Sequence, residues 1–465
     1  MSRAEVGSRS GPEQSAPARK PRLKPYLNTA YCKGCGRCVV ACTRDCLVLS
    51  GEVHAESGLA PVRLDLENCN ACGLCVLACP EPYALVLDPA GPPPAEAVVP
   101  VDQPTTRVPL PPLEPVLMKG THAAAIGALL AGCRHFFGYP ITPSSEGAEL
   151  MSKLLPRLDG VFLQAISEVA TVNHMYGCGG AGVRCMTLTS SPGFSLMLEG
   201  ISYMIGAEIP GVFVDVMRAG PGLGNIGPAQ ADIRLACRGL GHGDTHALVL
   251  APADPQEMLD LTILAFDRAF RYRNPVVILS DGHLGQVTGK VRLPDHMVQP
   301  GIPAWAVYGD AMHRRNLHSS IRLEENDQER FNEHLFAKYD EMTRREPRAE
   351  LFRCDEAELV FVALGTPARV VKGVVRTLRD RGIRAGLFRP ITLWPFPVGK
   401  WVEAMARAER VIFVEASAGQ LEDEARLALS HAGQVGGPRF EHVRRYGGHL
   451  PEAAEILAVA EGGAA

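Results

Sequence analysis

Cys32-Lys33-Gly34-Cys35-Gly36-Arg37-Cys38-Val39-Val40-Ala41-Cys42 sets four cysteines at C-x2-C-x2-C-x3-C, and the spacing returns at Cys69, Cys72, Cys75 and Cys79 with Pro80 directly after. Thiolate sulfur is soft enough to hold iron, and these short gaps let three successive ligands wrap one cubane while the fourth reaches across to another. On that rule Cys32, Cys35, Cys38 and Cys79 hold one 4Fe-4S cluster, and Cys69, Cys72, Cys75 and Cys42 the second. A zinc ribbon needs two pairs of ligands around one tetrahedral ion, which two triplets plus singles overshoot. Disulfides need an oxidising compartment, and nothing in the chain reads as secreted. The first motif has Thr43 where the second has Pro80, and Cys46 follows Cys42 by four residues. Cys42 and Cys46 therefore both stand as candidates for that ligand position.

Clusters of this kind pass electrons one at a time, so a chain with two of them must be coupled to chemistry that makes or consumes electrons. At 465 residues there is room for about three domains with cores of their own. A hydrophobic content of 46% with 21% charged residues is that of a soluble globular protein. No apolar run approaches the roughly 18 residues of a membrane helix, and no apolar signal region follows the start, which points to the cytoplasm and to no membrane partner. A net charge of -4 argues against nucleic acid as a partner, because phosphate affinity comes from clustered Lys and Arg. Cys133, Cys178, Cys185, Cys237 and Cys354 are scattered singly and read as buried small hydrophobes in a reducing compartment.

Residues 1–24 carry Ser, Pro, Gly and Ala with six basic side chains and little to bury, as a disordered basic arm does. The cluster domain occupies residues 25–88. Residues 89–115 hold ten prolines in twenty-seven positions and read as an extended spacer. From residue 116 to 300 short apolar strands alternate with helical stretches, the signature of a parallel sheet covered by helices on both faces. Residues 301–350 break the rhythm with a charged linker and an exposed helix. A second alternating α/β unit fills residues 351–465.

Three features of the middle unit carry chemistry. In Gly138-Tyr139-Pro140-Ile141-Thr142-Pro143-Ser144-Ser145 a strand ends at Tyr139, and Thr142 and Pro143 take the positions of helix N-cap and first helical residue. Free N–H groups there make either an anion site or a bare cap. In Gln164-Ala165-Ile166-Ser167-Glu168 a strand runs into a helix with a carboxylate at the junction, a catalytic group or a favourable charge on the helix dipole. The glycine-rich stretches Gly177–Gly182 and Thr189-Ser190-Ser191-Pro192-Gly193 permit close backbone approach beside Glu168. Arg218 then enters a loop with four glycines. The Gly222-x-Gly224-x-x-Gly227 pattern in that loop is separated from its strand by four residues and followed by Pro228, which speaks against a dinucleotide site. His242-Gly243-Asp244-Thr245-His246 offers two His and a carboxylate but no fixed helical face for a metal.

Taken with Ser190 to Met197, Gly241-His242-Gly243-Asp244 and Arg389-Pro390-Ile391-Thr392-Leu393-Trp394-Pro395-Phe396-Pro397, these motifs resemble the alpha subunit of the 2-oxoacid:ferredoxin oxidoreductases over Lys119 to about Ile456. Residues 25–88 resemble the delta subunit of the same complexes. The resemblance implies an α/β protein: an N-terminal bacterial-type ferredoxin domain, a parallel-sheet domain binding the pyrimidine half of thiamine diphosphate, and a transketolase C-terminal-like α/β domain. It implies oxidative decarboxylation of a 2-oxoacid to an acyl-CoA, with CoA as co-substrate and ferredoxin as electron acceptor. Glu168 matches the activating glutamate, which binds the pyrimidine N1′ and stabilises the imino tautomer that removes the thiazolium proton. Ser190 and Gly193 fall in the cofactor-binding motif. Thr142 and Arg218 match residues that hold the substrate carboxylate in pyruvate-specific relatives.

The resemblance also makes one absence informative. Thiamine diphosphate needs a divalent metal, Mg, held by Gly-Asp-Gly with an Asn farther on, and Ser280-Asp281-Gly282-His283 is the nearest pattern and lacks it. The chain then holds half a cofactor site, a beta subunit supplies the diphosphate half, and a gamma subunit is involved with CoA. The Arg389–Pro397 motif and the Gly220–Gly227 loop look most like 2-oxoisovalerate enzymes, with 2-oxoglutarate, pyruvate and aryl 2-oxoacids as alternatives. An electron-transfer or scaffold subunit without a catalytic role is the rival reading.

Overall fold

The computed structural model describes residues 22–53, 59–81, 84–87, 101–309, 313, 316–434 and 437–462. Almost all of the expected basic arm and the spacer residues 88–100 lie outside them. The chain forms two compact units, Met1–Val98 and Val99–Ala465. No helix among the described residues is long and apolar enough to cross a membrane.

In the first unit the two cysteine motifs fold alike. Gly36 and Gly73, at φ of 73° and 79°, take the left-handed conformation that glycine adopts without cost and start two five-residue helices, Arg37–Ala41 and Leu74–Ala78. Each helix buries its middle cysteine, Cys38 or Cys75, and ends at the fourth, Cys42 or Cys79. Two antiparallel pairs flank them: Tyr26–Leu27 with Leu85–Val86, and Leu47–Leu49 with Val62–Leu64. Among the described residues the apolar cluster beneath the cysteines is small, built on Leu47, Val62, Ala84 and Leu85. So small a core depends on bound iron-sulfur to stay ordered. Anaerobic removal of iron from the full chain is therefore expected to open residues 25–87 to limited proteolysis while the second unit stays intact. An uncut iron-free first unit would disprove this.

The second unit is built on two sheets. The larger has seven strands, in the order Thr392–Trp394, Leu248–Leu250, Pro275–Asp281, Gly211–Met217, Cys185–Thr189, His135–Gly138, Val161–Gln164. Six are mutually parallel, and Gly211–Met217 and Pro275–Asp281 are buried along their whole length, as strands covered on both faces must be. The seventh, Thr392–Trp394, comes from the carboxyl-terminal α/β part and adds antiparallel to the edge strand Leu248–Leu250. The smaller sheet runs Ala349–Phe352, Ala385–Pro390, Leu359–Val362, Arg410–Glu415, Arg439–Arg444, all parallel except the first. Arg389, 2% exposed, joins the two parts with a bidentate grip on Glu257 at 2.6 and 2.9 Å and a third bond to Glu350 at 2.7 Å.

Two expected linkers are packed instead. Thr106–Pro109, read as spacer from its prolines, is a strand paired with His296–Gln299. That pairing spans nearly two hundred residues, which composition does not reveal. In the 301–350 segment the expected helix is present at Glu325–Arg345, but it buries Leu335, Tyr339 and Met342, and Lys338 pairs with Glu208 at 2.9 Å. Ala306 is fully buried beside Gly182, where an added Cβ would come within 2.7 Å of it.

Candidate functional site

Four neighbouring parallel strands end at one edge of the large sheet, and the residues just past their carboxyl ends make the site. Glu168 opens the helix Glu168–Gly180 just beyond Ala165 and Ile166, with Ser167 as its cap, the hydroxyl accepting the Ala170 N–H at 3.2 Å. The Glu168 side chain is 5% exposed. It lies against Gly193: a Cβ there would sit 2.5 Å from Glu168 Oε1 and 2.4 Å from Thr189 Oγ1. Close approach thus requires glycine at 193. The other glycine-rich stretch does not serve Glu168. Gly179 is eleven residues along the same helix, roughly 16 Å away, and packs on the Pro210 carbonyl. Ser191-Pro192-Gly193 forms the first turn of the helix Ser191–Gly206 rather than a loop, because Pro192 suits the first helical turn.

Buried beside this contact, Ser190 Oγ and Thr189 Oγ1 have no hydrogen-bond partner in the protein. Leaving such groups unpaired costs about 1–3 kcal/mol each, so the pocket edge suits a polar ligand such as an aminopyrimidine. Gly193→Ala is expected to keep the fold and displace the Glu168 carboxylate, lowering kcat of the assembled enzyme about 10²-fold, the usual cost of a misplacement near 1 Å. A kcat close to wild type, with an unchanged melting curve, would count against the placement.

Arg218 follows the strand Gly211–Met217 and is 9% exposed. Its Nη1 donates to the Thr142 carbonyl at 2.9 Å and its Nη2 to the Leu223 carbonyl at 3.1 Å, while Nε is buried without a partner. Arg218 and Thr142 thus meet, through the Thr142 backbone rather than its hydroxyl. Ala219 N–H donates to the Gly227 carbonyl at 3.0 Å and closes the loop, and a Cβ on Gly224 would lie 1.7 Å from the Ala219 oxygen. Gly224 serves that closure, Gly227 packs on Gly448, and the next helix begins only at Ile233. Thr142 is not a helix cap: Thr142–Pro143 is cis, and the helix starts at Ser145 after Ser144, whose hydroxyl donates to the Ile141 carbonyl at 2.7 Å. The helix N-terminus that the Thr142 reading placed at that residue lies two residues further on, at Ser144.

A buried carboxyl pair gave little sign of itself in the sequence. Ser191 Oγ accepts the Arg218 N–H at 3.0 Å and donates to Asp232, and Asp215 faces Asp232 from the fully buried strand Gly211–Met217. Burial first, then the nearby Asp232 charge, pushes the Asp215 carboxyl well above its usual range, and burial raises Asp232. Both shifts favour keeping a proton on the pair over burying two charges. A lone acid in Gly-Val-Phe-Val-Asp-Val-Met was the legible signal. The folded protein binds this proton more tightly than the unfolded chain, so its stabilising contribution is whole below the ordinary aspartate range, near about pH 4, and is lost as pH rises through the raised value. Asp215→Asn, which donates an N–H instead, is expected to lose less thermal stability than wild type between mildly acidic and alkaline pH. Parallel melting temperatures across that range would refute the shared proton.

Asp281 and His246 are held by contacts within the fold. Asp281 accepts the Leu284 N–H at 2.9 Å, the Thr366 N–H at 2.8 Å and the Thr366 hydroxyl at 2.7 Å, and so pins the helix Gly365–Asp380 to the large sheet. His246 stacks on Trp394 with ring centroids 4.4 Å apart, and burial followed by the Arg238 charge lowers its pKa to about 4.

In the first unit, Cys32, Cys35, Cys38 and Cys79 line one cavity, and Cys42, Cys69, Cys72 and Cys75 line another together with Cys46. No group of three or more His, Cys, Asp or Glu among the described residues converges tightly enough for a single metal ion. Sulfurs set around a cavity suit a cubane, whereas zinc draws its four ligands to about 2.3 Å. Burial, then Cys79, Cys32 and Cys35, push the Cys38 thiol up to about 11.

Residues 31–82 match the 4Fe-4S dicluster domain, residues 126–346 the family described as pyruvate flavodoxin/ferredoxin oxidoreductase, thiamine diphosphate-binding, and residues 357–456 the pyruvate:ferredoxin oxidoreductase core domain II. The ketoisovalerate oxidoreductase subunit VorB of Methanothermobacter thermautotrophicus is 46% identical over 73% of this chain and 96% of its own length. The 2-oxoglutarate synthase subunit KorA of Archaeoglobus fulgidus is 39% identical over 67% of this chain and 91% of its own. The solved 2-oxoglutarate:ferredoxin oxidoreductase of Magnetococcus marinus, with 2-oxoglutarate, coenzyme A and succinyl-CoA bound, superposes with a TM-score of 0.68 at 25% identity, covering 75% of this chain and 65% of that one. The chain belongs to the 2-oxoacid:ferredoxin oxidoreductase family, as one subunit of a multi-subunit enzyme.

Proposed function

We propose that this chain is a fused delta-alpha subunit whose complex oxidatively decarboxylates a 2-oxoacid to its acyl-CoA and passes the electrons through two 4Fe-4S clusters to ferredoxin. The observation that carries the proposal is Glu168, buried at a helix start against a glycine that leaves room for nothing else. Bound thiamine diphosphate supplies a nucleophilic carbon and a sink for the electron pair left by departing carbon dioxide. Glu168 holds a proton at the pyrimidine N1′, a role its seclusion from water strengthens. Ser190 and the Gly193 backbone line that ring. Arg218, held by the Thr142 and Leu223 carbonyls, keeps its charge at the same sheet edge to orient a carboxylate. The rim carries exposed apolar side chains, Ile166 (89%), Leu223 (77%) and Leu196 (53%), which fits cover by another subunit. That subunit is a beta chain bringing the diphosphate half-site and Mg, with a gamma chain engaged with CoA.

The substrate we favour is 2-oxoisovalerate, since the relative at 46% identity bears that specificity in its name and the 2-oxoglutarate relative stands at 39%. A reducing cytoplasm suits both the clusters and the dispersed thiols. The test is co-expression with the neighbouring subunits and an anaerobic screen of 2-oxoacids with a viologen dye. Branched-chain acids are expected to give the highest kcat/KM. A preference for 2-oxoglutarate or pyruvate would overturn the substrate, and dye reduction by none would overturn the function.

A further inference from the structure

The second cluster cavity has five thiols where a cubane takes four. Cys46 is 3% exposed and lines the cavity with Cys42, Cys69, Cys72 and Cys75. The turn Cys42-Thr43-Arg44-Asp45-Cys46, with Asp45 at φ 52°, brings it back. Its backbone N–H donates to Cys42 Sγ at 3.3 Å, and its own Sγ lies within hydrogen-bonding reach of the Cys42 and Cys69 sulfurs and 3.4 Å from the Arg44 carbonyl. The first cavity has no counterpart, because the residue four beyond Cys79 is Tyr83. Nor does Cys46 contribute merely as filler, since a small hydrophobe would not need to face two ligating sulfurs.

We propose that Cys46 is the reserve ligand of the second cluster, donating a hydrogen bond to its ligating sulfurs while Cys42 binds iron and replacing Cys42 when that bond is lost. This rests on the two-cluster reading of the first unit. In the exchange the Cys42–iron bond breaks and Cys42 leaves as a thiolate, Cys46 Sγ forms the new iron–sulfur bond, the proton that Cys46 loses is taken up by Cys42, and no electron moves. In the resident state the extra hydrogen bond to sulfur favours the reduced cluster and raises its potential.

The experiment compares full-length variants reconstituted anaerobically, read by iron and acid-labile sulfide per chain and by EPR of the reduced protein. Wild type is expected to hold about eight irons, two cubanes of four. Cys42→Ala should keep both clusters, with altered EPR of one. Cys72→Ala, whose sulfur is not one of the two that Cys46 faces, and the Cys42→Ala/Cys46→Ala pair should each lose one cluster, half the iron. Cys46→Ala alone should keep all the iron and lower the midpoint potential of one cluster only, and Cys46→Ser, which retains a donor, should restore much of that shift. Loss from Cys42→Ala equal to that from Cys72→Ala overturns the reserve role. Loss of half the iron from Cys46→Ala alone overturns it by making Cys46 the resident ligand. Wild type without iron or sulfide removes the two-cluster reading itself.

Discussion

Glu168→Gln in the complex assembled with its partner subunits is expected to lower kcat about 10²–10⁴-fold, the contribution typical of a positioned acid–base group. Glutamine fills the same space against Gly193 and Thr189, so packing and melting temperature should barely change. On the proposed reading, what is lost is the negative charge that would face the pyrimidine nitrogen, where an amide cannot hold a proton in the same way. KM should move little, because Arg218 and Thr142 are untouched. A Glu168→Gln complex with full dye-reducing activity would instead support the scaffold reading, in which the catalytic-looking sheet only carries the cluster unit.

The chain purified alone, with intact clusters, thiamine diphosphate and Mg added, is expected to show no decarboxylation. The aspartate–glycine pair nearest to a metal-binding pattern ends the strand Pro275–Asp281, and both Asp281 oxygens are already taken by Leu284 and Thr366. Freeing that carboxylate for a metal would unpin the helix Gly365–Asp380. The exposed Ile166 and Leu223 beside the site point the same way. Adding the partner subunits should restore turnover by several orders of magnitude. Release of carbon dioxide by the single chain would refute a divided site.

Legibility from sequence tracked the range of the interaction involved. The grouping of the cysteines was readable because it depends on spacings of two and three residues, and the two cavities collect those cysteines, the second with Cys46 added. The strands preceding the site were readable from their apolar runs, and Glu168 from its position at a strand–helix junction. The Thr142 cap was misplaced because a Thr-Pro pair before Ser-Ser offers two equally good starts, and the helix takes the later one. Residues 101–115 looked like spacer because proline content says nothing about a partner strand at 296–299. The Asp215–Asp232 pair depends on two residues seventeen apart meeting under Ser191, a contact that only tertiary structure makes. His246 had the composition of a ligand, but its stacking partner Trp394 lies about 150 residues away.

The strand Thr392–Trp394 has a consequence for how this chain can be divided. By sealing the flank of Leu248–Leu250 it hides a row of amide and carbonyl groups that would otherwise be offered to any passing extended segment. A fragment truncated before that strand would carry an adhesive border through every step of synthesis and storage. The two α/β parts thus share one sheet, and a cut between them leaves one of them with an open edge.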